Sequence, residues 1–110
     1  MERFLESLSR GVFILARCSS CARFVWPPSD TCSRCLSDVE WVSIKPKGRI
    51  VALSVSHLLR ERFALVELEQ GIRLFGTVDG EVSEGSDVIL SSCGIDDKNH
   101  RPYYIFKSIE

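Results

Sequence analysis

Cys18-Ser19-Ser20-Cys21 and Cys32-Ser33-Arg34-Cys35, joined by Ala22-Arg23-Phe24-Val25-Trp26-Pro27-Pro28-Ser29-Asp30-Thr31, are the stretch on which the reading of this chain turns. Each Cys-x-x-Cys turn presents two sulfurs to one point, and two such turns ten residues apart make a tetrahedral thiolate site for a single metal ion. Four sulfurs fill the coordination shell and leave no position for water or substrate. A metal held by Cys18, Cys21, Cys32 and Cys35 is therefore structural, and its affinity becomes folding energy for a segment too small to build its own core. Zinc is the first expectation; iron in a rubredoxin-like site takes the same ligands and stays open. Pro27-Pro28 stiffens the connection between the turns. Paired disulfides are disfavoured if the chain works in a reducing compartment. Cys93 stands apart near a strand end and reads as a small buried hydrophobe.

Around this stretch the composition is ordinary. The chain has 110 residues, 45% hydrophobic and 26% charged, which suits one globular domain or one domain with a small appendage. No apolar run approaches the roughly 18 residues of a membrane span. The opening Met1-Glu2-Arg3-Phe4-Leu5-Glu6 carries acids and lacks the apolar core of a signal peptide, so the expected location is the cytoplasm. Residues 1–62 hold ten Lys/Arg against six Asp/Glu, and residues 63–110 hold four against nine. A duplex-binding protein usually carries a strong basic excess, and the formal net charge here is −1.

Upstream of the cysteines, Met1, Phe4, Leu5, Leu8 and Val12 recur at helical spacing opposite Glu2, Arg3, Glu6 and Arg10. They predict a short amphipathic helix over 2–10, with Gly11 at or just beyond its end. A helix this short needs a surface for its stripe, on its own domain or on another subunit. Downstream the pattern turns strand-like: Val39 to Ile44, Arg49 to Leu59, Phe63 to Leu68, Ile72 to Val78, Val88 to Cys93 and Tyr103 to Ile109, with Lys45-Pro46-Lys47-Gly48 as a break. Five or so strands with regular turn signals predict a small sandwich or barrel.

One hairpin register follows from the hydrophobic pattern. A two-residue loop Gln70-Gly71 would mix charge and core on both faces. A three-residue loop Glu69-Gln70-Gly71 puts Ala64, Val66, Leu68, Ile72, Leu74 and Gly76 on one face, and pairs Glu67 with Arg73 and Leu65 with Phe75 on the other. That loop wants a left-handed third residue, where Gly71 stands. Phe63, Leu65 and Phe75 then form an apolar patch beside Arg73, opposite the core, to be covered from within the chain or by a ligand or partner.

Catalytic signals are sparse. His57 and His100 are the only histidines, and no phosphate loop, metal-hydrolase motif or nucleophile elbow occurs. The expectation is a chain with no catalytic residues that is not an enzyme.

In order, Arg17-Cys18-Ser19-Ser20-Cys21, Trp26-Pro27-Pro28, Cys32-Ser33-Arg34-Cys35, Glu40-Trp41-Val42, Lys45-Pro46-Lys47-Gly48-Arg49, a Gly-turned hairpin, Glu84-Gly85-Ser86-Asp87-Val88 and a closing aromatic strand resemble the acyl-CoA-associated family catalogued as domain of unknown function 35. The resemblance covers nearly the whole chain. It implies a mainly β architecture: a short N-terminal helix (1–12), a rubredoxin-like zinc ribbon (13–38) and a five-stranded OB-fold barrel (39–110). It also implies an accessory or scaffold subunit for thiolase-like acyltransferases, of the acetoacetyl-CoA thiolase or hydroxymethylglutaryl-CoA synthase type, that helps to bind acyl-CoA. Ala22 and Leu36 depart from the family pattern, which commonly has Gly after the second and fourth cysteines.

The basic segment Lys45, Lys47 and Arg49, and the face of Phe63, Leu65, Arg73 and Phe75, are the candidate coenzyme A or partner contacts, since phosphates attract Lys and Arg and pantetheine wants an apolar groove. The alternative is an OB-fold module for single-stranded nucleic acid, stacking bases on Phe63 and Phe75, against which the acidic second half speaks.

Overall fold

The structure is a computed structural model and describes residues 2–109; Met1, placed above on the helix stripe, lies outside them. The chain divides into two compact units, the first ending at Ile44 and the second starting at Lys45.

The first unit opens with α1 (Glu2–Ser9), followed by β1 (Ile14–Cys18), β2 (Phe24–Val25) and β3 (Val39–Ser43). The helix stops where its sequence turns to glycine. Gly11 takes φ +77°, its N–H donates to Leu8 O at 2.9 Å, and the Val12 N–H donates to Ser7 O at 3.0 Å. These two bonds satisfy terminal helix carbonyls that would otherwise lack partners. Phe4 and Leu8 are buried, and Phe4 meets Phe13 and Trp26 edge-on at 5.9 and 5.7 Å. Phe4 and Leu8 thus dock on their own unit, each contributing about 1.5–3 kcal/mol, while Leu5 and Val12 of the same stripe are exposed. Ala16, Cys18, Val25 and Cys32 form the ribbon core, with Val39 and Trp41 packed against them.

The sheet order is β2-β1-β3, antiparallel throughout. The sequence reading begins the barrel at residue 39. In the structure β3 pairs with β1 from Ile14↔Ser43 to Cys18↔Val39, which makes it the third strand of the ribbon sheet. The hydrophobic alternation of Val39 to Ile44 serves either sheet equally, so periodicity alone does not choose the partner.

The second unit contains β4 (Lys47–Ser56), β5 (Glu61–Leu68), β6 (Arg73–Asp79), β7 (Asp87–Ile95) and β8 (Pro102–Ser108). They close into a barrel in the order β4-β5-β6-β8-β7, with β6 and β8 parallel and the other neighbours antiparallel. This is the five-stranded OB arrangement expected from the sequence. Its core holds Ile50, Ala64, Val66, Leu68, Ile72, Leu74, Val78, Val88, Leu90 and Phe106, all buried. Register shifts between Ile50 and Ala52 and between Leu90 and Ser92 bend the two longest strands, as closing a small barrel requires. Strand β4 starts at Lys47, two residues earlier than the Lys-Pro-Lys-Gly break implies, because only Lys45-Pro46 stands outside it; Pro46 is buried and its carbonyl accepts the Leu90 N–H at 3.0 Å.

The β5–β6 hairpin has the register that the sequence selects. Ala64↔Gly76, Leu65↔Phe75, Val66↔Leu74 and Glu67↔Arg73 are paired, and Gly71 sits at φ +80° with its N–H donating to Leu68 O at 2.9 Å. A one-residue slip would have turned the apolar set outward.

Candidate metal centre and outer barrel face

The four ribbon cysteines converge. Cys18 ends β1, Cys21 closes the turn behind it, and Cys32 and Cys35 occupy a second turn of the same form. In each turn a backbone N–H reaches back four residues, Ala22 to Cys18 O at 3.0 Å and Leu36 to Cys32 O at 2.9 Å. Ala22 and Leu36 hold φ +62° and +60°, the left-handed conformation that the family pattern meets with glycine. The departure noted in the sequence is therefore a local cost: a left-handed non-glycine residue loses roughly 1–2 kcal/mol.

All four Sγ atoms lie within 4.8 Å of one another. Cys18 Sγ and Cys35 Sγ are 3.3 Å apart, and Cys21 Sγ and Cys32 Sγ are 4.0 Å apart. A tetrahedron of bonds of about 2.3 Å has edges of about 3.8 Å, so the donor set fits a tetrahedral thiolate metal ion. Cys18 and Cys32 are buried and Cys21 and Cys35 exposed; all five cysteines are free thiols.

Local dipoles polarise the sulfurs unequally. The Ser37 hydroxyl and N–H, then the Cys18 thiol, hold Cys35 down to about 6. The N–H groups of Cys35 and Arg34 lower Cys32. At Cys18 the Cys21 N–H, 3.4 Å from the sulfur, favours the thiolate, but desolvation and the neighbouring thiols outweigh it and raise the group to about 11. Metal binding reverses that penalty, because a dication neutralises the crowded thiolates.

The other candidate residues lie in the second unit. Phe63 and Phe75 stack at 5.9 Å with an interplanar angle of 4°, and Phe75 is 61% exposed. Leu65 is directly opposite Phe75, half-buried. Arg49 on β4 faces Glu67 on β5, which faces Arg73 on β6, so the basic segment and the aromatic patch share one outer face. Both arginines are engaged, Arg49 with Asp87 at 3.5 Å and Arg73 with Glu67 at 3.3 Å. Lys47 and Arg49 line a groove of about 400 Å³ with Glu67, Glu69, Asp87 and Ile109. Lys45 is exposed ahead of β4.

Sequence reasoning missed a second groove in this unit, of about 680 Å³, lined by His57, Arg60, Arg62, Thr77 and Asp79 among others. Its residues come from turns and from four strands, β4, β5, β6 and β8, that meet only through the barrel register, and no local motif marks them. Cys93 is buried opposite Tyr104, as a small core residue.

Residues 5–41 match the family model described as ChsH2, rubredoxin-like zinc ribbon domain. The match covers the ribbon segment, less than half of the chain. No curated protein matches the chain. Among solved structures, the fold is similar to the Ltp2-ChsH2(DUF35) aldolase, at TM-score 0.77 and 22% identity over 99% of this chain and 94% of that one. It is also similar to a protein of unknown function from the DUF35 family of Sulfolobus solfataricus, at TM-score 0.62 and 19% identity over 97% and 83% of the two chains. The resemblance read from the sequence is borne out, the rubredoxin-like ribbon by the family model and the whole architecture by these folds. One expectation is corrected. The expectation that the chain is not an enzyme rests on the sparsity of motifs, and the likeness to a chain described as an aldolase overturns it. Motif scarcity is a weak argument in a β-barrel, where reacting groups gather from separate strands. No helix among the described residues is long and apolar enough to cross a membrane.

Proposed function

We propose that this chain is a subunit of an enzyme of acyl-CoA metabolism, in which it associates with a thiolase-like or hydroxymethylglutaryl-CoA-synthase-like protein and takes part in binding acyl-CoA. The observation that carries this reading is the fold likeness to the Ltp2-ChsH2(DUF35) aldolase over 99% of the chain. The ribbon supplies rigidity: its four sulfurs close the shell of one metal ion, assigned here as zinc, and leave it no open position for chemistry. The outer face supplies the chemistry of recognition. Arg49, Arg73 and Lys47 suit phosphates, Lys45 stands two residues ahead of Lys47, and Phe63, Leu65 and Phe75 suit an apolar pantetheine or a partner surface. Five free thiols suit a reducing compartment, the cytoplasm.

The test combines the purified chain with a thiolase-like enzyme of the same organism and reads complex formation by size-exclusion chromatography, with coenzyme A and acetyl-CoA titrated calorimetrically. A defined complex or acyl-CoA binding weakened by Arg73→Ala with Phe75→Ala is the expected result. Neither a complex nor acyl-CoA binding at high protein concentration contradicts the reading. Salt-sensitive binding of oligonucleotides in their place would favour the nucleic-acid alternative.

A further inference from the structure

We infer that the ribbon is an oxidation-sensitive site, in which a hydroperoxide converts Cys35 and then Cys18 into a disulfide that links the two turns and expels the metal ion. The inference needs only the four-sulfur site and does not rest on the enzyme reading. Three observations meet here. Cys35 and Cys21 are exposed, while Cys18 and Cys32 are buried. Each exposed sulfur has a buried sulfur of the other turn beside it, Cys35 with Cys18 at 3.3 Å and Cys21 with Cys32 at 4.0 Å. Each exposed cysteine is also followed by a non-glycine residue in the left-handed conformation, Ala22 or Leu36, so both turns carry strain that loss of the metal releases.

The chemistry balances. The Cys35 thiolate attacks one oxygen of hydrogen peroxide; the O–O bond breaks, hydroxide leaves and Cys35 becomes a sulfenic acid. The Cys18 thiolate then attacks the Cys35 sulfur; the S–S bond forms, the S–O bond breaks and a second hydroxide leaves. Two thiolates have lost two electrons and one peroxide has gained them. With two of its four ligands gone, the site no longer holds the ion. Cys21 and Cys32 form the second such pair at the longer separation. Cys93, buried in the barrel core, stays out of the reaction.

The experiment treats the metal-loaded full chain with one equivalent of hydrogen peroxide, reads metal release with a colorimetric chelator and maps the cysteines by mass spectrometry without reduction. The expected result is loss of up to one metal ion per chain with Cys18–Cys35 as the first cross-link and Cys93 unmodified, and recovery after dithiothreitol and zinc. Metal retained under tenfold excess peroxide overturns the inference. So does a first cross-link within a turn, Cys18–Cys21 or Cys32–Cys35, or a first product that is a sulfinic acid without a cross-link.

Discussion

Gly76 on β6 lies so close to the backbone carbonyl of Tyr104 on β8 that no β-carbon fits between them. The contact stands at the parallel seam of the barrel, where Thr77 pairs with Ile105. Gly48 is similar on the other side of the barrel: a β-carbon there would meet Glu67 O at 2.6 Å and Val66 Cγ1 at 2.7 Å. Both obstacles include backbone, which cannot rotate away as a flexible side chain can.

These contacts set the first prediction. Gly76→Ala should destabilise the barrel by about 2–3 kcal/mol, since it overpacks against a fixed strand. Gly71→Ala should lose only about 1 kcal/mol, because its turn has open space and the penalty is conformational. Denaturant midpoints of the two variants check the order, and an equal loss would contradict the seam argument.

Ala22 and Leu36 give the opposite sign. Relief of left-handed strain gains about 1–2 kcal/mol per residue, and the extra freedom of glycine in the unfolded chain returns about 0.5–1 kcal/mol. Ala22→Gly and Leu36→Gly should each stabilise the ribbon by about 0.5–1 kcal/mol and slow metal transfer to a competing chelator. A faster transfer in either variant would contradict the strain reading.

Burial raises the Tyr104 hydroxyl from its ordinary 10.0 to about 12, with the Cys93 thiolate opposing ionisation as well. Desolvation raises Cys93 above its ordinary 9.0. A group whose folded value is raised contributes stability that is complete below its unfolded value and fades as pH rises through the folded one. The barrel should therefore weaken in alkali, with the Tyr104 contribution lost between about pH 10 and 12. Tyr104→Phe should flatten the upper part of that profile in denaturant titrations.

Much of this molecule was legible because short-range rules decide it. The β5–β6 register follows from which of two slips keeps Ala64, Val66, Leu68, Ile72 and Leu74 together, and Gly71 marks the turn. The sulfur site follows from two Cys-x-x-Cys spacings. Partner choice is harder to read. Val39–Ser43 alternates as well for the ribbon as for the barrel, and only its pairing with β1 assigns it. The groove of His57, Arg60 and Arg62 depends on contacts between separate strands, and the alignment of Arg49, Glu67 and Arg73 depends on two registers at once.

Removing the ligands should act on the ribbon as a whole. Cys18→Ser or Cys32→Ser loses a buried ligand from the small core of Ala16, Val25 and Trp41, and should unfold residues 13–44 while leaving the barrel signals of residues 47–108 in place. Two-dimensional amide spectra distinguish the two sets of residues, and a folded ribbon in a metal-free variant would contradict this.

The most direct measurement is elemental analysis of the purified chain with its thiols counted in parallel. Four sulfurs within 4.8 Å predict one tetrahedral metal ion per chain, zinc by assignment, with the four ribbon thiols held from an alkylating reagent by the metal and Cys93 held from it by burial. Clean, folded protein with no bound metal and four freely reacting ribbon thiols would contradict the account.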